Sequence, residues 1–162
     1  MKKLNALGIG PKIGRIAIPY FLVTLFLSIY YKDIFKVSAG FDRPLFIAGI
    51  VLLSIGLVFY ALTARLLLKG IKNTELMITG TYYLCQNPLY ATMILMIIPG
   101  ISFVLHTWLI LTTSLVAYIF FKIHIKSEYK EMESFFGHAY LNYQKDTPEI
   151  IPLPFKKWFR KG

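Results

Sequence analysis

Charge is scarce in this sequence, and negative charge is the scarcest. Charged residues make up 16% of the 162 positions and hydrophobic residues 56%, with 8 Asp and Glu against 18 Lys and Arg. A soluble domain carries about 25% charged residues, so this deficit indicates a membrane protein. A single cysteine excludes an intrachain disulfide framework. No cluster of residues predicts a metal site.

Positive charge is in excess, with a net charge of +10. Such a balance would suit nucleic acid, but the Lys and Arg residues lie beside apolar runs, where they would face anionic lipid headgroups. We therefore expect the lipid bilayer as a partner and no nucleic acid. Lys2, Lys3, Lys12 and Arg15 precede an apolar run that lacks a small-residue cleavage site, so we expect this run to remain as an anchor.

Long uncharged runs predict about four transmembrane helices, since about 20 apolar residues cross a bilayer. Their predicted bounds are about 14–31, 44–64, 88–104 and 107–122. The last two come from 46 uncharged residues between Glu75 and Lys122, a length that suits a helical hairpin. Beyond Lys122, apolar residues recur mostly three and four positions apart, which predicts an amphipathic cytoplasmic helix with a break at Gly137. We therefore predict an all-α integral membrane protein with one domain, 1–162, whose C-terminal helix and tail occupy 123–162.

The distribution of Lys and Arg predicts the orientation of these spans. Fifteen of them lie in the N-terminus, in the loop region that begins with Arg65 and in the tail from Lys122, whereas three lie from Lys32 to Arg43. Positive residues favour the cytoplasmic side of a membrane. We therefore expect both termini and the loop before the third span to be cytoplasmic, in a membrane such as the prokaryotic plasma membrane.

Two polar features interrupt the apolar pattern, and each has alternative interpretations. Asn87 and Pro88 suit a helix start, because asparagine is a good N-cap and proline is favoured at the first helical position; the alternative is a ligand site. Glu128 lies just beyond the predicted fourth span, where a carboxylate is costly without a partner. It is either on a solvated helix face, paired locally with His124 or Lys122, or bound to a cationic ligand.

The chemistry-bearing residues of the second half follow one another in a recognisable order. The chain reads Gly80-Thr81-Tyr82 and then Gln86-Asn87-Pro88-Leu89-Tyr90; about 40 residues later come Glu128, Phe136-Gly137, Tyr140, Tyr143 and the segment 147–152. In order and spacing, this set resembles the integral-membrane methyltransferases related to isoprenylcysteine carboxyl methyltransferase and phosphatidylethanolamine N-methyltransferase. The resemblance covers 79–152, and the first two spans match only in being apolar.

The resemblance implies S-adenosylmethionine as the cofactor and a lipid-embedded methyl acceptor, either a phospholipid amine or a prenylcysteine carboxylate. It also implies a cofactor pocket on the cytoplasmic side, closed by the hairpin, the Asn-Pro block and the C-terminal helix. By this resemblance the cofactor-binding residues are Tyr82, Gln86, Asn87, Pro88, Tyr90 and Glu128.

The sequence also departs from the family pattern at three positions. Gln86 stands where an arginine is common, Tyr129 replaces the second glutamate of a pair, and Glu149 replaces a late arginine. An arginine suits a carboxylate acceptor, so a carboxylate at 149 favours a cationic headgroup. Glu149 and Tyr90 are the predicted catalytic residues, which would take a proton from an amine acceptor. The alternatives are a non-catalytic membrane protein, such as an assembly or transport subunit, and an inactive member of the family.

Overall fold

The computed structural model describes residues 8–37 and 40–151; the N-terminal lysines Lys2 and Lys3 and the tail 152–162 lie outside them. The regular secondary structure of the described residues is helical, apart from one isolated antiparallel bridge between Lys36 and Thr107. In chain order the helices are α1 (Gly10–Tyr30), α2 (Lys32–Phe35), α3 (Asp42–Asn73), α4 (Thr81–Leu84), α5 (Pro88–Val104), α6 (Leu111–Phe136) and α7 (His138–Asp146). The predicted all-α class is therefore confirmed.

Two of these helices, α1 and α3, are long and apolar enough to cross a membrane, and α5 is a shorter apolar helix. Within their most apolar windows, the chain itself buries 17% of α1 and 11% of α3. The core helix of a soluble protein would be mostly buried, whereas these two present large side chains such as Phe26 and Ile47 outward. Their exposed apolar surface therefore suits a lipid environment.

Helix α3 runs well beyond the predicted second span, to Asn73. The charges of Arg65, Lys69 and Lys72 end the apolar run, but none of these residues breaks a helix. The helix ends at Thr74, which takes a left-handed conformation (φ 55°) and donates its N–H back to the last turn. The helix thus consists of an apolar segment followed by about two and a half turns that carry these three positive charges.

A line of small residues lets α3 approach α5 closely. The residues of α3 that are buried lie seven positions apart and are Gly49, Gly56, Thr63 and Gly70. A Cβ added to Gly49 would lie 2.8 Å from the backbone nitrogen of Val104 and 2.9 Å from the carbonyl oxygen of Gly100. The two backbones are therefore in contact, as small residues permit in membrane helix pairs. The seven-residue spacing is visible in the sequence.

Helix α5 contains a π-helical turn, Met93–Ile97, two residues before Pro99. Proline lacks an N–H, and its ring collides with the carbonyl four residues earlier in a regular α-helix. The wider turn gives that carbonyl room, so Pro99 and Gly100 lie inside the helix. The helix continues past them and ends at Val104.

Three contacts between hydroxyl groups join α1 to α6 and to the residues just before it. Tyr20 donates to Thr112 (3.0 Å), Thr24 lies 3.1 Å from the hydroxyl of Thr113, and Ser28 lies 2.9 Å from that of Thr107, just before α6. Helix α6 also packs against α5, which packs against α3. The packing order across the bundle is therefore α3, α5, α6, α1.

The end of α6 positions the C-terminal segment. Gly137 has φ 52° and separates α6 from α7, which confirms the predicted break at this residue. Helix α7 packs back on α6, with the Tyr129 and Tyr140 rings 6.3 Å apart. The residues after Asp146 then run alongside the segment before α5.

Candidate active site

Asn87 begins α5 but does not cap it with its side chain. It occupies the N-cap position, with Pro88 first in the helix, and its carbonyl accepts the N–H of Ala91. The side-chain Nδ2 instead donates to the Tyr129 hydroxyl (2.8 Å) and to the Glu149 carbonyl (3.0 Å). Asn87 is 6% exposed. Its amide therefore ties α5 to α6 and to the C-terminal segment, and the simple N-cap interpretation accounts only for its backbone.

Gln86 holds the same C-terminal segment one residue earlier. Its backbone N–H donates to the carbonyl of Pro148 (2.8 Å), and that of Asn87 donates to the carbonyl of Glu149 (3.2 Å). The Gln86 Nε2 donates to the carbonyls of Gln144 (3.0 Å) and Thr147 (2.5 Å). The side-chain oxygens Oε1 of Gln86 and Oγ1 of Thr147 are buried without a hydrogen-bond partner among residues 8–37 and 40–151. Two acceptor atoms are thus available to a donor that this part of the chain does not supply.

Tyr129 connects this network to an ion pair. Its hydroxyl accepts from Asn87 and donates to Oε1 of Glu149 (3.2 Å), whose Oε2 lies 2.5 Å from Nζ of Lys122. The side chains of Glu149 and Lys122 are 31% and 47% exposed. Burial, followed by the negative charge of Glu149, raises the pKa of the Tyr129 hydroxyl, so this group remains a proton donor at neutral pH.

Tyr143 fixes the loop that precedes α5. Its hydroxyl lies 2.7 Å from the carbonyl oxygen of Tyr82 and 3.3 Å from that of Cys85. Cys85 is 2% exposed, and burial raises the pKa of its thiol to about 11. The thiol therefore stays protonated at neutral pH, which argues against a nucleophilic role.

Glu128 has partners that sequence reasoning did not find. Its Oε2 accepts the backbone N–H of Ile9 (3.0 Å), at the start of α1, and the hydroxyl of Tyr90 at 3.5 Å. Of the expected local partners, Lys122 pairs with Glu149, and His124 bonds through Nδ1 to the carbonyl of Phe120. The partner of Glu128 is a backbone group 119 positions away, for which a sequence offers no signal.

Burial dominates the electrostatics of Glu128. It raises the pKa of the carboxyl, while the Ile9 N–H and the Tyr90 hydroxyl act in the opposite direction by stabilising the carboxylate. The pKa values of Tyr82 and Tyr140 are also raised, first by burial and then by the negative charge of Glu128. A carboxylate among apolar groups and neutral tyrosines gains free energy from a cationic or hydroxyl-bearing ligand.

The structure therefore brings the sequence-predicted site residues to one end of the bundle, in two neighbouring clusters. The Glu128 cluster contains Tyr82 and Tyr90, and the Asn87 cluster contains Gln86, Pro88 and Glu149. Glu128 and Tyr129 are consecutive on α6, so their side chains diverge and each serves one cluster. Sequence reasoning did not single out two members of these clusters, Ile9 and Thr147, and it gave Lys122 and Tyr129 a different partner or role.

The residues fit S-adenosylmethionine in chemical type. S-adenosylmethionine carries a sulfonium, an ammonium, hydroxyls and an adenine amine, and the site offers the buried carboxylate of Glu128 and the oxygens of Gln86 and Thr147 that have no partner among the described residues. The start of α1 contacts the same Glu128 oxygen, so S-adenosylmethionine would have to displace it to bind there. In comparisons with known proteins, no family model, no curated protein and no solved structure matches this chain.

Proposed function

We propose that this protein is an S-adenosylmethionine-dependent membrane methyltransferase that acts on a lipid-embedded acceptor. The observation that carries the proposal is the meeting of residues 86–90 with Glu128 and Glu149 at one end of an apolar bundle. These are the residues on which the family resemblance rests, and they are far apart in the chain. The proposal includes four spans, with α5 and α6 as a hairpin, and a cytoplasmic site in a plasma membrane.

The proposed reaction is an in-line transfer of a methyl group. The cofactor would supply the activated methyl group, so the protein has to orient the acceptor and exclude water. Glu128 would hold polar groups of the cofactor, and Gln86 and Thr147 would accept hydrogen bonds from it. Asn87 and Tyr129 fix the position of Glu149. Lys122 lies beside Glu149, where a lipid headgroup would arrive from the bilayer.

An ammonium acceptor must lose a proton before it can attack. Glu149 is a partly exposed carboxylate that accepts from Tyr129, so it can receive this proton and pass it to water. A prenylcysteine carboxylate would need no base, so Glu149 would have no proton to accept from it. We therefore favour an amine lipid as the acceptor. Tyr90, the other predicted catalytic residue, contacts Glu128 and belongs with the cofactor groups in this scheme.

A second candidate function, a non-catalytic member of the same family, is favoured by one observation. The side chains of Asn87 and Glu149 are already bonded to groups of the protein itself. A purely structural network would look the same. Transfer of label from methyl-labelled S-adenosylmethionine into extracted lipid, by the protein in proteoliposomes, separates the two: labelled lipid supports the enzyme, and cofactor binding without labelled lipid supports the inactive member.

Glu128→Gln should weaken S-adenosylmethionine binding about tenfold, or ~1.4 kcal/mol, because the negative charge is lost. Glutamine retains an acceptor oxygen for the Ile9 N–H, so the fold should persist. Calorimetry on detergent-solubilised protein measures the affinity. Glu133→Gln, on the exposed side of α6, is the control with the same change of charge. Equal affinity in wild type and Glu128→Gln would remove Glu128 from the cofactor site.

Glu149→Gln should raise KM for an amine lipid about threefold while KM for S-adenosylmethionine stays constant. A partly exposed carboxylate such as that of Glu149 contributes on the order of 0.5–1 kcal/mol to the binding free energy of a cationic headgroup. Steady-state kinetics with short-chain phosphatidylethanolamine in mixed micelles give both constants. An unchanged lipid KM would show that Glu149 does not recognise the headgroup.

A further inference from the structure

The start of α1 lies directly on the carboxylate of Glu128. We call residues 8–10, with the sequence Gly-Ile-Gly, the N-terminal strap. The Ile9 N–H donates to Oε2 of Glu128, and a Cβ added to Gly8 would lie 2.6 Å from the same oxygen and 3.0 Å from Cδ. A Cβ on Gly10 would lie 3.8 Å from the Tyr90 hydroxyl. The absence of a side chain at Gly8 thus lets the backbone cover the carboxylate, while Gly10 lies within ordinary contact distance of the Tyr90 hydroxyl.

The side chain of Ile9 anchors the strap. It is 2% exposed and belongs to a cluster with Ile13, Cys85, Phe121 and Ile125. The strap therefore adds an apolar contact and a charge-assisted hydrogen bond to the start of α1. Among the residues that the structure describes, the strap consists of these three, and the rest of α1 is held farther along by its hydroxyl contacts with α6.

We propose that the N-terminal strap is a lid, which closes Glu128 in the cofactor-free protein and leaves it when S-adenosylmethionine binds. This inference rests on the proposed function, since it takes Glu128 as a cofactor ligand. The strap and the cofactor then compete for one carboxylate. The measured association constant is then the intrinsic constant multiplied by the fraction of molecules in which the lid is open.

Gly8→Ala tests the competition. Gly8 has φ 49°, and the added Cβ would collide with Glu128, so the closed strap is destabilised. S-adenosylmethionine should bind about three- to tenfold more tightly to this variant in calorimetry. Gly137→Ala is a matched control, because Gly137 has φ 52° and nothing lies within 4 Å of its added Cβ. Its affinity should equal that of the wild type.

Cysteine labelling gives a readout that is independent of methyl transfer. Ile9→Cys should react slowly with a membrane-permeant maleimide in the free protein and several-fold faster with saturating S-adenosylmethionine. Ile13→Cys, one turn farther along the same buried face, should stay slow in both conditions, and wild-type protein, with buried Cys85 alone, gives the blank.

The outcomes separate the lid from the proposed function. If the wild type binds no S-adenosylmethionine, the proposed function fails, and the lid fails with it. If the wild type binds but Gly8→Ala binds no more tightly, the strap is a fixed wall of the pocket, and the lid alone is overturned. Equal acceleration at Ile9 and Ile13 would also overturn it, because all of α1 would then move.

Discussion

Replacing Asn87 by aspartate is expected to lower the free energy of unfolding by about 3–5 kcal/mol, the cost of an uncompensated buried charge. The Nδ2 of Asn87 donates to Tyr129 and to the carbonyl of Glu149. Aspartate has nearly the same shape but offers an acceptor at that position. The Tyr129 hydroxyl can turn to donate to it, whereas the Glu149 carbonyl cannot, so two oxygens would face each other.

The loss of stability caused by Asn87→Asp should depend on pH. Burial raises the pKa of such a carboxyl above the unfolded value of about 3.9. The folded variant then binds more protons than the unfolded one, so its stability falls as pH rises from about 4 through the raised folded pKa. At lower pH the protonated acid can donate to Glu149, and the difference from wild type should shrink.

Denaturant unfolding in detergent micelles at pH 5 and pH 8 measures both effects of Asn87→Asp. Asn142→Asp, at an exposed position of α7, is the control and should change stability by about 0.5 kcal/mol or less. A loss at Asn87 no larger than that of the control would show that the Asn87 amide does not hold the C-terminal segment to α5.

Replacing Gly49 by leucine should destabilise the protein by about 3 kcal/mol, at the upper end of the cost of overpacking. The first added atom already lies 2.8 Å from the Val104 nitrogen and from its Cγ2, so α3 and α5 would have to separate. Separation would also affect the same helix contact two turns later in α3, where a Cβ on Gly56 would lie 3.0 Å from the Cβ of Met96.

Gly14→Leu is the matched control for Gly49→Leu. The added Cβ of Gly14 meets only the far end of Ile18 in its own helix, at 3.4 Å, and leucine is a better helix former than glycine. This variant should be equal to wild type or more stable by about 0.5–1 kcal/mol. Thermal unfolding in one detergent ranks the three proteins; similar midpoints for both variants would refute a close α3–α5 contact.

The positions of the helices were largely predictable from hydrophobic runs and charges. The uncharged run between Glu75 and Lys122 predicted α5 within it, and the apolar residues that recur mostly three and four positions apart after Lys122 predicted a helix as far as Gly137. The length of α3 was underestimated, because Arg65 and Lys69 end an apolar run without ending a helix. Charge marks where a lipid environment stops, whereas helix ends depend on backbone conformation, as at Thr74.

The candidate site was predictable in its residues but not in its bonds. Asn87, Glu128 and Glu149 were singled out by residue type and order. Two of their partners, the Ile9 N–H and the Glu149 carbonyl, are backbone groups, and backbone groups are present at every position of a sequence. Tyr129 was treated as a departure from the family pattern, yet in the structure its hydroxyl connects Asn87 to Glu149.

The hydroxyl contacts between α1 and α6 also bear on the order in which the protein is made. Helix α1 leaves the ribosome first, but its packing partner α6 is synthesised about 80 residues later. In the meantime α1 would stand alone in the bilayer, with polar atoms exposed to lipid. Thr24 donates to the carbonyl of Phe21 in its own helix, so its hydrogen is already satisfied, and Thr113 becomes the donor when α6 arrives. The Thr24 hydroxyl can therefore remain in lipid with its hydrogen satisfied before α6 is made, whereas Tyr20 and Ser28 gain their partners only with Thr112 and Thr107.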